Sequence, residues 1–204
     1  ILPEGTDAGS LVARGIRLVN LPLTSLDPEA ASHVFVVLDP RESPVPQLEQ
    51  LADELRALDR EPVKVVTCVD CSAAEASPQL RSYLDACIYY SDTVLLGNRS
   101  GASKSFVRQF EKGYQQRCYP ARFQLLKDPG QPQNPLEILL PGTLRLSQLF
   151  DREPLASPDS PAGPIEASCD LDFEEAEEDP YRPSAESGKS PLQVPDIRPW
   201  IAWS

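Results

Sequence analysis

Methionine is absent from the 204 residues, histidine occurs once (His33), and the chain begins at Ile1. A chain without methionine that starts on isoleucine is expected to be a fragment whose beginning, and with it the part that decides function, lies upstream. One histidine, placed before an apolar run with no evident partner, argues against Ser-His-Asp and Cys-His mechanisms, which need an imidazole base. Basic excess is also missing: the net charge is −12, which argues against a nucleic-acid binder. No apolar stretch approaches the ~20 residues that cross a bilayer, and no basic segment leads into an apolar core at the N-terminus. The five cysteines are odd in number, and Cys68, Cys71 and Cys87 lie in apolar runs. Reduced thiols therefore fit better than a disulfide framework. The expectation is a soluble, cytoplasmic protein that binds neither nucleic acid nor membrane.

What is present divides at Asp151. Residues 151–204 carry 13 acids and 4 bases, which leaves 18 acids and 15 bases for the first 150. Nine prolines fall between Pro154 and Pro199, and the run Asp170 to Asp179 is strongly acidic. Such a segment buries too little apolar surface to offset its ordering entropy. Residues 1–151 are read as one α/β domain and residues 152–204 as a disordered or extended acidic, proline-rich tail. Trp200 and Trp203 near its end are either an anchor for a protein partner or an exposed end with no role.

Within the body, apolar and polar positions alternate between strand and helix periods. Gly15–Pro22 reads as a short strand. Val34-Phe35-Val36-Val37-Leu38 is a continuous apolar run ending in Asp39-Pro40, the pattern of a strand covered on both faces. Residues 45–60 place Leu48, Leu51, Ala52, Leu55 and Leu58 at helical spacing. Val63 to Cys71 is the strongest strand. Ser77-Pro78 opens a helix with Leu80, Tyr83, Leu84 and Cys87 on one face. Asp92 to Gly97 is another buried-type strand, Ser103 opens a helix striped by Phe106, Val107, Phe110 and Tyr114, and residues 121–127 form a last strand. Residues 144–150 are expected to make a short helix. This alternation predicts crossovers and a doubly wound parallel sheet. Asp39, Asp70 and Asn98 stand at the C-terminal ends of three strands, the edge where ligands bind in open α/β sheets. The same residue types also simply start turns.

Three segments carry a family likeness: Val36-Val37-Leu38-Asp39-Pro40, then Val65-Val66-Thr67-Cys68-Val69-Asp70-Cys71, then Ser91-Asp92-Thr93-Val94-Leu95-Leu96-Gly97-Asn98-Arg99-Ser100-Gly101. Their order, over about residues 34–101, resembles the CobW-type P-loop GTPases, the group that includes the HypB and UreG nickel-insertion proteins. The resemblance implies a P-loop-NTPase-like domain of metallochaperone type, with Asp39 or Asp70 near a magnesium ion and Asn98 with Arg99 near the base. GTP and magnesium would be the cofactors if a phosphate-binding loop precedes these residues.

The sequence departs from that pattern in chemistry that matters. No G-x-x-x-x-G-K-[ST] string occurs, so the backbone cradle, the lysine and the magnesium-binding hydroxyl are all missing. Gly5-Thr6-Asp7-Ala8-Gly9-Ser10 lacks lysine, and Asp7 would repel phosphate. Gly101 stands where the family has the aspartate that reads guanine, and Arg99 replaces a lysine. A hydrolytically inactive GTP-binding domain is the first expectation, and a non-catalytic interaction module that keeps the fold is the alternative. Cys68-Val69-Asp70-Cys71 has C-x-x-C spacing, but with no second pair it reads as structural. Finally, Lys104, Arg108 and Lys112 are four apart and share a helix face. That face is either solvated or a seat for the acidic run.

Overall fold

A computed structural model describes residues 34–127, 131–132, 134–151, 179–184 and 188–200. Helix α1 (Pro44–Ala57) follows Ser43, with proline in its first turn, and buries Val45, Leu48, Leu51 and Ala52. Strand β1 (Val66–Asp70) runs straight into a short helix, α2 (Cys71–Ala76), because the Asp70 carboxylate accepts from Ala73 N at 2.9 Å and caps it. Ser77 then caps α3 (Pro78–Tyr89) by accepting from Leu80 N at 3.1 Å. β2 (Thr93–Gly97) leads through Asn98 into a turn of 3-10 helix, Arg99–Gly101. α4 (Lys104–Gln116) is capped by Ser103, and β3 (Arg122–Lys127), β4 (Gln131–Pro132) and α5 (Pro135–Leu139) complete the order.

The sheet order is β1-β2-β3-β4. β1 pairs parallel with β2, with Val66 opposite Thr93 and Asp70 opposite Gly97; β2 pairs parallel with β3, with Thr93 opposite Arg122. β4 adds a short antiparallel pairing to β3. Helices and a three-stranded parallel sheet make this an α/β fold. Val94 and Leu96 are fully buried on one face of β2, and Thr93 and Leu95 are 1% and 7% exposed on the other, as a strand covered on both faces requires. α3 lies between two cores: Leu84 and Ile88 join Val69, Val94 and Leu96, while Ala86 and Tyr90 join α1, Leu149 and Phe150.

Two expectations need correction. Residues 34–38 form no strand: Val34, Phe35 and Val37 are 51%, 70% and 43% exposed, and only Val36 and Leu38 pack on the α1 core. The run is covered on one side, not two. Residues 144–150 are not helical, because their backbone bonds go elsewhere: Leu144 N donates to Asp92 Oδ1 at 2.7 Å and Ser147 N to Tyr89 O at 3.3 Å. The described parts of the tail do have a core contact. Tyr181 is 7% and Ile197 2% exposed, and the Tyr181 ring meets those of Tyr89 and Tyr90 at 5.5 and 6.3 Å between centroids. Asp179 accepts from Tyr90 Oη at 3.1 Å, and Arg182 Nε donates to Glu49 at 2.8 Å. The expected strand Gly15–Pro22, most of the acidic run, the side chain of Trp200 and all of Trp203 lie outside the described residues. No helix among the described residues is long and apolar enough to cross a membrane.

A buried ion pair ties the segment after α5 to the sheet. Asp92 is fully buried and accepts from Val65 N at 2.7 Å, Leu144 N at 2.7 Å and the Arg145 guanidinium at 3.2 Å. The Arg145 side chain is 3% exposed, lies over the Phe150 ring, and reaches Asp151 at 3.3 Å. Its Nε is buried without a partner.

Candidate functional site

Parallel pairing in register brings the C-terminal ends of β1 and β2 side by side, so Asp70 and Asn98 become neighbours although 28 residues apart. Asn98 Nδ2 donates to Asp70 Oδ1 at 3.1 Å and Oδ2 at 3.0 Å. Asn98 takes a left-handed conformation, φ 46°, one that asparagine tolerates better than most side chains. The pair is exposed, on the open edge above the strands.

Arg99, next in the chain, turns away from the pair: its Nη2 donates to Leu126 O at 3.0 Å, bracing the end of β3. α2 and α4 are joined over the same edge, since Ser103 N and Oγ donate to Glu75 at 2.8 and 2.6 Å. Those bonds hold the Glu75 carboxyl below the usual range.

Asp39 is not part of this group. Its carboxylate is forked onto Arg41, from Nε at 2.9 Å and Nη2 at 2.6 Å, and its backbone N–H and C=O exchange bonds with the Gln47 amide at 2.8 and 2.9 Å. The Arg41 guanidinium holds the Asp39 carboxyl below its ordinary value. Of the four residues singled out from sequence, the structure thus joins Asp70 and Asn98, sets Arg99 beside them on another errand, and seats Asp39 in the loop before α1.

Gly101 bears directly on base recognition. A β-carbon there would lie 2.8 Å from Ser72 Oγ and 2.9 Å from Ser72 Cβ, closer than side chains approach one another. The Ser72 side chain on α2 occupies the space an aspartate would need. The residues present therefore do not fit guanine through a carboxylate, and Arg99 directs its Nη2 to Leu126 O instead. Asp70 likewise offers a cation a carboxylate already accepting three hydrogen bonds, one from Ala73 N and two from Asn98. No step through magnesium is derived from it.

Sequence reasoning missed a cleft elsewhere on the molecule. Arg41, Glu42, Tyr83, Asp196, Ile197 and Arg198 border a cleft of about 300 Å³ between the start of α1, α3 and the tail. Both arginines of its wall are paired, Arg198 on Asp196 and Arg41 on Asp39, and the Tyr83 hydroxyl donates to Glu42 O at 3.3 Å. None of Asp70, Asn98 or Arg99 borders it. No sequence signal marks this cleft, because half of it comes from a segment whose composition hides its packing.

The thiols at the C-x-x-C differ in setting: Cys68 is exposed and Cys71 is buried. Burial, and then the Asp70 charge, push the Cys71 thiol up. Among the described residues, no three His, Cys, Asp or Glu side chains are grouped to hold a metal ion. No family model, no curated protein and no solved structure matches this chain.

Proposed function

We propose that this chain is a CobW-like domain of the metallochaperone type, with a doubly wound, P-loop-NTPase-like sheet, that binds purine nucleotide weakly and does not hydrolyse it. The observation that carries the reading is the Asp70–Asn98 pair, set at the C-terminal ends of neighbouring parallel strands where open α/β sheets bind ligands. Asn98 Nδ2 holds the Asp70 carboxylate in place at that edge. Hydrolysis needs a lysine, a magnesium-binding hydroxyl and backbone N–H groups around the transferred phosphate, and the sequence has no string that supplies them. The displacement of a base-reading side chain at Gly101 predicts little preference for guanine over adenine.

A second reading, a non-catalytic interaction module, is favoured by the engagement of Arg99 with Leu126 O and by the packing of Gly101 on Ser72. In it the tail and its tryptophans hold a protein partner. Titration with fluorescent GTP and ATP, with and without magnesium, separates the two. The nucleotide reading expects saturable binding of both and no phosphate release. Absence of binding by either nucleotide supports the module, and metal-dependent turnover overturns both readings.

A further inference from the structure

Lys104, Arg108 and Lys112 form a row on the exposed face of α4, and among the described residues none of them has a hydrogen bond or an ion pair. The fourth cation at this helix's end behaves differently: Arg117 bonds Asp85 at 3.2 Å and lies over the Tyr114 ring. A bare row carries a cost. Like charges four residues apart repel, and Lys104 in the first turn opposes the helix dipole. The helix has no acidic residue in that turn to offset it. In a protein of net charge −12, such a row is a local exception.

We propose that this face of α4 is the docking surface for the chain's own acidic run, residues 170–178. Charge complementarity is the first argument: Asp170, Asp172, Glu174, Glu175, Glu177 and Glu178 place six carboxylates in nine residues. The position of the neighbouring anchor is the second. Asp179, next in the chain, is held by Tyr90 beside the end of α3, and α3 is tied to the end of α4 through Asp85, which accepts from Tyr114 Oη at 2.7 Å and from Arg117 at 3.2 Å. From Arg117 the row lies five to thirteen residues back along the helix, about 8 to 20 Å, whereas nine extended residues reach roughly 30 Å. Tethering gives the run an effective concentration that a free acidic partner of equal affinity cannot match. The net charge of the whole chain also disfavours separate polyanions.

Zero-length carbodiimide coupling of the full chain, mapped by mass spectrometry, tests this. At low ionic strength, amide links should join Lys104 or Lys112 to carboxylates within 170–178, with a yield independent of protein concentration. Raising the salt to about 0.5 M, where the screening length falls to a few ångströms, should reduce that yield several-fold. Arg108→Glu keeps both amines and sits on solvent, so the fold survives; it should reduce the yield as strongly. Links from these lysines only to other parts of the body, links that rise with protein concentration, or a yield unchanged by Arg108→Glu would each overturn the proposal.

Discussion

Replacing Asp92 with asparagine should be among the most damaging single changes available in this chain. Its carboxylate is fully buried and receives two backbone N–H groups at 2.7 Å and a guanidinium that is itself 3% exposed. Asparagine keeps one acceptor oxygen and removes the charge, leaving the Arg145 cation in the interior with only Asp151, on its exposed side, to balance it. Breaking a buried pair by removing one partner costs about 3–5 kcal/mol, and a backbone donor left unsatisfied adds about 1–3 kcal/mol. A loss of at least about 4 kcal/mol is expected, a large share of the roughly 5–15 kcal/mol that typically holds a domain folded. Urea unfolding followed by far-ultraviolet circular dichroism measures it. Asp92→Asn with Arg145→Met should recover part of the loss, because removing both charges avoids the uncompensated cation. A loss under about 1 kcal/mol for Asp92→Asn, or a double variant as unstable as the two singles added, would refute the claim that this pair ties residues 144–151 to the sheet.

Tyr181→Ala should cost about 3 kcal/mol or more, since the ring is buried against Tyr89 and Tyr90; a neutral result in the same urea assay would mean that the tail does not share the body's core. Asp39 should make stability depend on pH in one direction. Arg41 lowers its folded pKa, so the stabilisation is complete above the unfolded value of about 3.9 and is lost as pH falls through the folded value. Asp39→Asn should therefore lower the melting temperature at pH 7 by an amount worth up to about 1 kcal/mol and have no effect at pH 2; an equal effect at both would show that the pair is irrelevant. Burial pushes the Cys87 thiol up to about 12, so native-state labelling at pH 8 should modify exposed Cys118 well before Cys87, as peptide mapping would show.

Much of the α/β core was legible because its signals are local. α1, α3 and α4 announce themselves by apolar spacing, and α3 and α4 also by the Ser77 and Ser103 caps. β2 reads as buried because it is buried on both faces. The misread segments are those whose neighbours decide. Residues 34–38 have the composition of a central strand but only Val36 and Leu38 find a core. Residues 144–150 have helical spacing, yet Asp92 and Tyr89, more than fifty residues earlier, take the N–H groups of Leu144 and Ser147. α2 was overlooked because Asp70 was weighed as a strand tip, whereas it caps the next helix with the same carboxylate. At the candidate site, strand ends did place Asp70 beside Asn98. Arg99 and Asp39 were not predictable, since nothing in sequence shows that the Leu126 carbonyl and the Arg41 guanidinium claim them first.

The central claim is that nucleotide meets this chain at the Asp70–Asn98 edge. Backbone amide shifts of nitrogen-15-labelled protein, followed during titration with a non-hydrolysable GTP analogue, test it most directly. Perturbations should gather at residues 70–73 and 97–102 and diminish in Asn98→Ala. Shifts confined to the cleft around Arg41, Tyr83 and Arg198, or no shifts at millimolar analogue, would contradict it.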